Sequence, residues 1–206
     1  MWLRVKRRLR RLLGLGWSAD EFLRRYRQGM ADAWGYVGNA DHEARATRIL
    51  AALPDWPVAD LLELGCAEGF LTRRFLERGL AVTACDLSAE AVERARSWCG
   101  DHLRVQFLVG DIRSQLPEGT FDVCLLSDVL YYLSPAEIRK LSNQLSSRLR
   151  PRRRLIFANE WNATYRDLPH PKQALESLIT GGPRTCIHQN TVGNTSAHSH
   201  FLAILE

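Results

Sequence analysis

The chain has 206 residues, 46% of them hydrophobic and 25% charged, proportions of an ordinary soluble globular protein with room for one domain and a sizeable core. Its net charge of +5 is unevenly spread. Arg4, Lys6, Arg7, Arg8, Arg10 and Arg11 all fall in the first eleven residues, where no acid occurs, so the body is nearly neutral and a nucleic-acid partner is disfavoured.

Residues 1–17 form a basic amphipathic segment, with Trp2, Val5, Leu9, Leu12 and Leu13 at helical spacing among the cations. Two readings stand: a terminal helix packing its apolar stripe on the domain, or a segment lying on an anionic membrane or a phosphate-bearing substrate. Each cation near such a surface is worth about 1 kcal/mol. The apolar stretch "LLGLGW" is too short and interrupted for a signal peptide, and no run reaches membrane-spanning length. Five cysteines without a CxxC pair point to reduced thiols, against a disulfide framework or a zinc ribbon. The expected location is the cytoplasm, with peripheral membrane contact through residues 1–17 as the finer possibility.

From residue 40 onward helical patterns alternate with short apolar runs. "HEARATRILAAL" (42–53) predicts a helix and "VADLLELG" (58–65) a buried strand; "GFLTRRFLERG" (69–79) predicts a helix ending on Gly79. "LAVTACDLS" (80–88) is the second strand, followed by a helix over 88–99 capped by Ser88. "LRVQFLVGDI" (103–112), "FDVCLLSDVL" (121–130) and "RRLIFANEW" (153–161) supply three more strands, with a helix over 134–150 before the last. Such alternation gives right-handed crossovers and a parallel sheet covered on both faces. Segments 184–192 and 197–206 alternate like strands around a "GNTS" turn and predict an antiparallel hairpin. The expected fold is therefore α/β, a doubly wound, mostly parallel seven-stranded sheet ending in that hairpin.

In such sheets ligands bind beyond the carboxyl ends of the strands, where strand order reverses, so the loops after residues 65, 86, 111 and 127 should converge. The first carries Gly65-Cys66-Ala67-Glu68-Gly69, a turn of minimal side chains. The dinucleotide spacing G-x-G-x-x-G would need glycine at 67 and 70, where Ala67 and Phe70 stand, and this counts against NAD. Asp86 ends the second strand 21 residues after Gly65, placed to accept both hydroxyls of a ribose and to repel the extra phosphate of NADP.

"ELGCAEG" with Glu63, then "CDLS", "GDI" and "FDVCLLSDVLYYL", together resemble the successive motifs of class I S-adenosylmethionine-dependent methyltransferases, and "LLSDVLYYL" is similar to their nodulation protein S-like small-molecule branch. The resemblance covers about residues 40 to 161 and implies a Rossmann-like fold and S-adenosyl-L-methionine as cofactor. It implies that Gly65, Cys66, Ala67 and Gly69 form the turn under the methionine and ribose, that Asp86 holds the ribose hydroxyls and that Leu87 packs on adenine. Asp111 would accept from the adenine amino group with Ile112 against the ring; Ser127 and Tyr132 would line the cofactor site. Glu63 would steady the glycine loop near the cofactor's amino group. Asp128 and Tyr131 are the expected catalytic pair, one accepting an ammonium or hydroxyl proton and the other positioning the acceptor, and His42 is the alternative base.

The chain departs from this pattern at Ala67, where a middle glycine is usual and a negative φ is expected, and at "RPRRRL" (150–155), read as a solvated loop at the amino ends of the strands. Asp122 reads as structural. His198 and His200 lack a third ligand at a fitting spacing, so no metal is expected. Residues 18–206 are expected to form one domain: a helical lid (18–57), a cofactor-binding core (58–161) and a C-terminal segment with the hairpin (162–206). The expected function is methyl transfer to N or O of a small molecule such as an amino sugar, glycan or natural-product intermediate. An RNA or protein methyltransferase, or a non-catalytic protein of the same fold, are the alternatives.

Overall fold

The alternation of apolar residues in the central strands forces two cores, one on each face of a sheet. In this computed structural model, which describes residues 23, 24, 26, 32–162, 170–183, 185–195 and 198–206, the sheet has seven strands in the order β3-β2-β1-β4-β5-β7-β6. They are β1 (Asp60–Leu64), β2 (Ala81–Asp86), β3 (Val105–Val109), β4 (Phe121–Ser127), β5 (Leu149–Asn162), β6 (Cys186–Thr195) and β7 (His198–Leu205). The first five run parallel and β7 pairs antiparallel with both β5 and β6, so the architecture matches the sequence expectation. The basic segment 1–17 lies outside the described residues.

Leu62, Leu64, Cys124 and Leu126 face one core, closed by α4 (Pro135–Ser146) and α5 (Pro171–Thr180). Leu61, Val123 and Leu125 face the other, closed by α1 (Ala40–Ala51), α2 (Phe70–Glu77) and α3 (Ala89–Cys99). Period-two alternation thus assigns Glu63 to the face of α2. Caps fix where the helices start. The Asn39 side chain accepts from the N–H groups of Asp41 and His42, Ser88 accepts from Ala91, and Ser134 with Glu137 closes a reciprocal box at α4.

Three boundaries differ from the sequence reading. β4 stops at Ser127, and residues Leu130–Tyr132 form a 3-10 turn instead of strand. The break falls at Asp128, whose φ of +52° cannot continue a strand. The arginine stretch 150–155 is the start of β5 rather than a loop, because its charges find partners along the sheet's lower edge. Arg150 pairs with Asp60 and Asp122, Arg154 with Glu206, and Arg152 and Arg154 stack on Trp56. Helix α5, unread in the sequence, packs on α4 so closely that a Cβ on Gly181 would lie 2.5 Å from the Arg139 carbonyl oxygen. Asp122 is structural as expected, accepting from the N–H groups of Ala59 and Asp60. Among the described residues no helix is long and apolar enough to cross a membrane.

Candidate active site

Strand order reverses between β1 and β4, and around the carboxyl ends of these strands lie the most deeply buried charged side chains among the described residues. The glycine turn is fastened to β2: the N–H groups of Gly65 and Cys66 both donate to the Cys85 carbonyl, at 2.8 and 3.0 Å. Gly65 and Gly69 have φ of +85° and +84°, which favours glycine at both. A Cβ on Gly69 would also lie 3.0 Å from Ala95 of α3, so this glycine serves helix packing as well as the turn.

Ala67 corrects an expectation. Its φ is +49°, not negative, a left-handed conformation that costs an L-residue about 1–2 kcal/mol. The turn holds it there by a hydrogen bond, since the Ala67 N–H donates to Asp86 Oδ2 at 2.9 Å. Asp86 Oδ1 accepts from the Ser88 N–H, also at 2.9 Å. Each carboxylate oxygen keeps a further lone pair for a ligand hydroxyl. Burial pushes the Asp86 carboxyl up to about 6, against the pull of these backbone donors. Glu63, 2% exposed, accepts from Thr72 Oγ1 at 2.5 Å, and burial raises it to about 8.

Arg45 is the functional residue that sequence reasoning missed. It sits on the buried stripe of α1 with Ala46 and Ile49, and its guanidinium reaches across to Ser127 and Asp128. Its buried Nε has no hydrogen-bond partner among the described residues. The legible signal was an arginine four residues before Ile49 on an apolar helix face. Asp128 is the second non-glycine residue with a positive φ among the described residues, and it lines a cavity whose wall also includes Cys66, the neighbour of Ala67.

That cavity, lined by Tyr36, Arg45, Glu63, Gly65, Phe70 and Asp128 among others, measures only about 20 Å³. Tyr36 closes it by stacking on Phe70 with ring centroids 4.7 Å apart and planes within 9°. The segment carrying Tyr36 is tied to the glycine turn through Glu68, a second missed residue. Glu68 accepts from the Ala33 N–H and pairs with Arg94 at 2.7 Å.

The other expected site residues lie around the same edge, and of those that follow only Cys66 lines the small cavity. Asp111 is already engaged by Arg113, with Nε donating at 2.8 Å and Nη2 at 2.5 Å. Burial works to raise the Asp111 carboxyl, but the hydrogen bonds and charge of Arg113 outweigh it and hold it below the usual range. Ile112 is buried beside it and Leu87 is half-buried. Tyr131 and Tyr132 meet edge to face at 4.5 Å in the 3-10 turn. His42 packs edge-on against Tyr36, and its buried Nδ1 has no hydrogen-bond partner among the described residues. Cys66 is buried in the turn, its thiol pushed well up by burial, and serves as a small apolar group.

A buried acid at the end of β2, a glycine turn after β1 and an antiparallel hairpin completing the seven-stranded sheet match the Rossmann-like methyltransferase fold. Residues 61–152 match the methyltransferase domain family. By sequence the chain is similar to nodulation protein S of Rhizobium tropici, 31% identical over 134 residues, 64% of this chain and 56% of that protein. Malonyl-[acyl-carrier protein] O-methyltransferase of Serratia marcescens is 35% identical over 97 residues, 46% of this chain and 37% of that protein. The matches span about 56 to 65% of the length of the nodulation protein S relatives. In structure, the N-methyltransferase NodS from Bradyrhizobium japonicum WM9 in complex with S-adenosyl-l-homocysteine superposes with a TM-score of 0.78 at 23% identity, covering 91% of this chain and 97% of that one.

Proposed function

We propose that this protein transfers a methyl group from S-adenosylmethionine to a nitrogen or oxygen of a small molecule, with amino sugars, glycans and natural-product intermediates as the acceptor classes. The observation that carries this reading is the convergence of Asp86, Glu63 and Arg45, all buried, on one glycine turn at the switch point of the sheet. It is supported by the relatives, whose names include an N-methyltransferase and an O-methyltransferase.

The residues fit the cofactor by the chemistry of their donors and acceptors. Asp86 offers carboxylate lone pairs to the two ribose hydroxyls, and the unpartnered Nε of Arg45 offers a donor to the methionine carboxylate. Glu63 stands beneath the turn with a carboxyl suited to the methionine ammonium, and ionises when that charge arrives. Leu87 and Ile112 would flank adenine, with Asp111 held ionised by Arg113 to accept from its amino group. Cys66, Ala67, Gly65 and Gly69 supply backbone under the ribose, and Ser127 and Tyr132 close the side facing the acceptor.

When bound, S-adenosylmethionine supplies a sulfonium methyl open to in-line attack, so the chain's work is alignment, worth several kcal/mol of the barrier. Asp128 receives the acceptor's proton and Tyr131 positions the acceptor, and His42, with a free ring nitrogen, is the alternative base. Residues 18–57, carrying Tyr36, act as the lid over the core 58–161, and 162–206 complete the sheet. We assign residues 1–17 a peripheral contact with an anionic membrane or phosphate-bearing substrate, and the protein a cytoplasmic location.

Calorimetry tests the reading. The wild type should bind S-adenosylmethionine and S-adenosylhomocysteine but not NADH. Asp86→Ala should weaken both sulfur nucleosides at least tenfold, since each ribose hydrogen bond to a charged group is worth about 1.5–3 kcal/mol. Failure of the wild type to bind either nucleoside overturns it.

A further inference from the structure

Helix α1 covers only part of the sheet face formed by β5, β7 and β6. Beside it runs a groove of about 260 Å³, more than ten times the volume of the cofactor-side cavity. Its floor is apolar, built from Ile49 of α1, Ala158 of β5 and Leu202 and Ile204 of β7. Its polar lining residues are Arg45 and Arg48 from α1, His188 and Asn190 from the edge strand β6, and His200 from β7. Arg45 lines this groove and the cofactor-side cavity alike, so the two share one side chain in their walls.

The charge of the groove is one-sided. No Asp or Glu lines it among the described residues. Arg45 is neutralised by Asp128, but the Arg48 guanidinium makes no ion pair or hydrogen bond among the described residues, and neither do the His188 ring and the Asn190 amide. A cationic ligand would be repelled by Arg48. A neutral apolar ligand would strip water from the guanidinium without replacing it, which is costly. A ligand with an apolar body and a carboxylate or phosphate satisfies both parts, because a guanidinium binds such groups through two parallel hydrogen bonds.

We propose that this groove is a binding site for an apolar anion, the non-reacting end of the methyl acceptor, with Arg48 reading its charge. The binding claim stands on the groove alone. Its place in the reaction rests on the methyltransferase reading, through the shared wall at Arg45.

The test uses four probes of equal chain length on the full protein: octyl phosphate, octanoate, octylamine and octanol, with affinities by calorimetry. The two anions should bind at least tenfold more tightly than octylamine and octanol. Arg48→Gln should weaken the anions at least tenfold, Leu202→Trp should block them by filling the floor, and both variants should bind S-adenosylhomocysteine within twofold of wild type. In a methyl-transfer screen of matched acceptors, the member ending in carboxylate or phosphate should be preferred over its neutral counterpart.

Equal binding of octylamine, or octyl phosphate affinity unchanged in Arg48→Gln and Arg48→Glu, overturns the proposal. So does a full chain that binds no anion, including the case where deleting residues 1–17 then opens the groove. If Arg48→Glu lowers binding to phosphatidylglycerol vesicles but leaves octyl phosphate untouched, a membrane is the partner and the proposal falls. Absence of any preference for anionic acceptors also defeats it. Loss of S-adenosylhomocysteine binding in the wild type would instead overturn the methyltransferase reading, leaving the groove's anion binding to stand or fall separately.

Discussion

The two ends of the parallel sheet both carry carboxylates and arginines, yet they treat them in opposite ways. At the lower edge Asp122 sits between Arg150 and the N–H groups of Ala59 and Asp60. Burial works to raise its carboxyl, but these partners together more than reverse the effect, so it lies below the usual range. At the upper edge Asp86 and Glu63 are almost wholly buried, and burial wins, lifting them to about 6 and about 8. The upper edge also holds the two non-glycine residues with positive φ among the described residues, Ala67 and Asp128. The lesson is that paired, half-exposed charges at one end finish a fold, while strained and desolvated charges at the other are kept at a cost that only a ligand repays.

Mutations should separate the two ends. The largest effect is expected from Arg45→Met, which removes the donor facing the turn and the ion pair with Asp128; affinity for S-adenosylhomocysteine should fall about 30-fold, near 2 kcal/mol, by calorimetry. Arg150→Ala with an unchanged nucleoside affinity is the matching control at the lower edge.

Next comes the pH dependence of Glu63. Its folded pKa of about 8 lies above its unfolded value, so its contribution to stability is full below about pH 4.5 and is lost as pH rises through 8. Glu63→Gln should flatten the stability profile, recovering at least about 1 kcal/mol at pH 8 relative to pH 5 in urea titrations. Asp122, with a lowered pKa, behaves in the reverse sense: its contribution is present above about pH 4 and disappears in acid. An Asp122→Asn variant whose stability falls most at pH 8 and least at pH 3 would confirm that opposition.

A smaller effect is expected at Ala67. Ala67→Gly relieves a left-handed alanine and should raise stability by about 1 kcal/mol in thermal or urea unfolding, with nucleoside affinity kept. A loss of stability would mean that the turn does not hold the φ found here. The smallest change should come from Arg150→Ala, at most about 1 kcal/mol, since its side chain is about a third exposed and water screens its pairs.

The amino-acid sequence by itself determined the order of strands and helices through period and punctuation. Apolar runs marked the buried strands, Ser88 and Ser134 marked helix starts, and the glycine turn followed by Asp86 marked the site's edge, because such signals act over a few neighbouring residues. The tertiary structure decided what depends on distant partners. Arg45 and Glu68 gained meaning only when α1 and the residues around Ala33 were laid across the strand ends. The arginines at 150–155 became strand because Asp60, Asp122, Trp56 and Glu206, scattered along the chain, meet there. Ala67 took a positive φ because the Asp86 carboxylate, nineteen residues on, anchors its N–H. Local pattern fixes which elements form, whereas long-range contacts fix the conformation and charge state of the residues that do the chemistry.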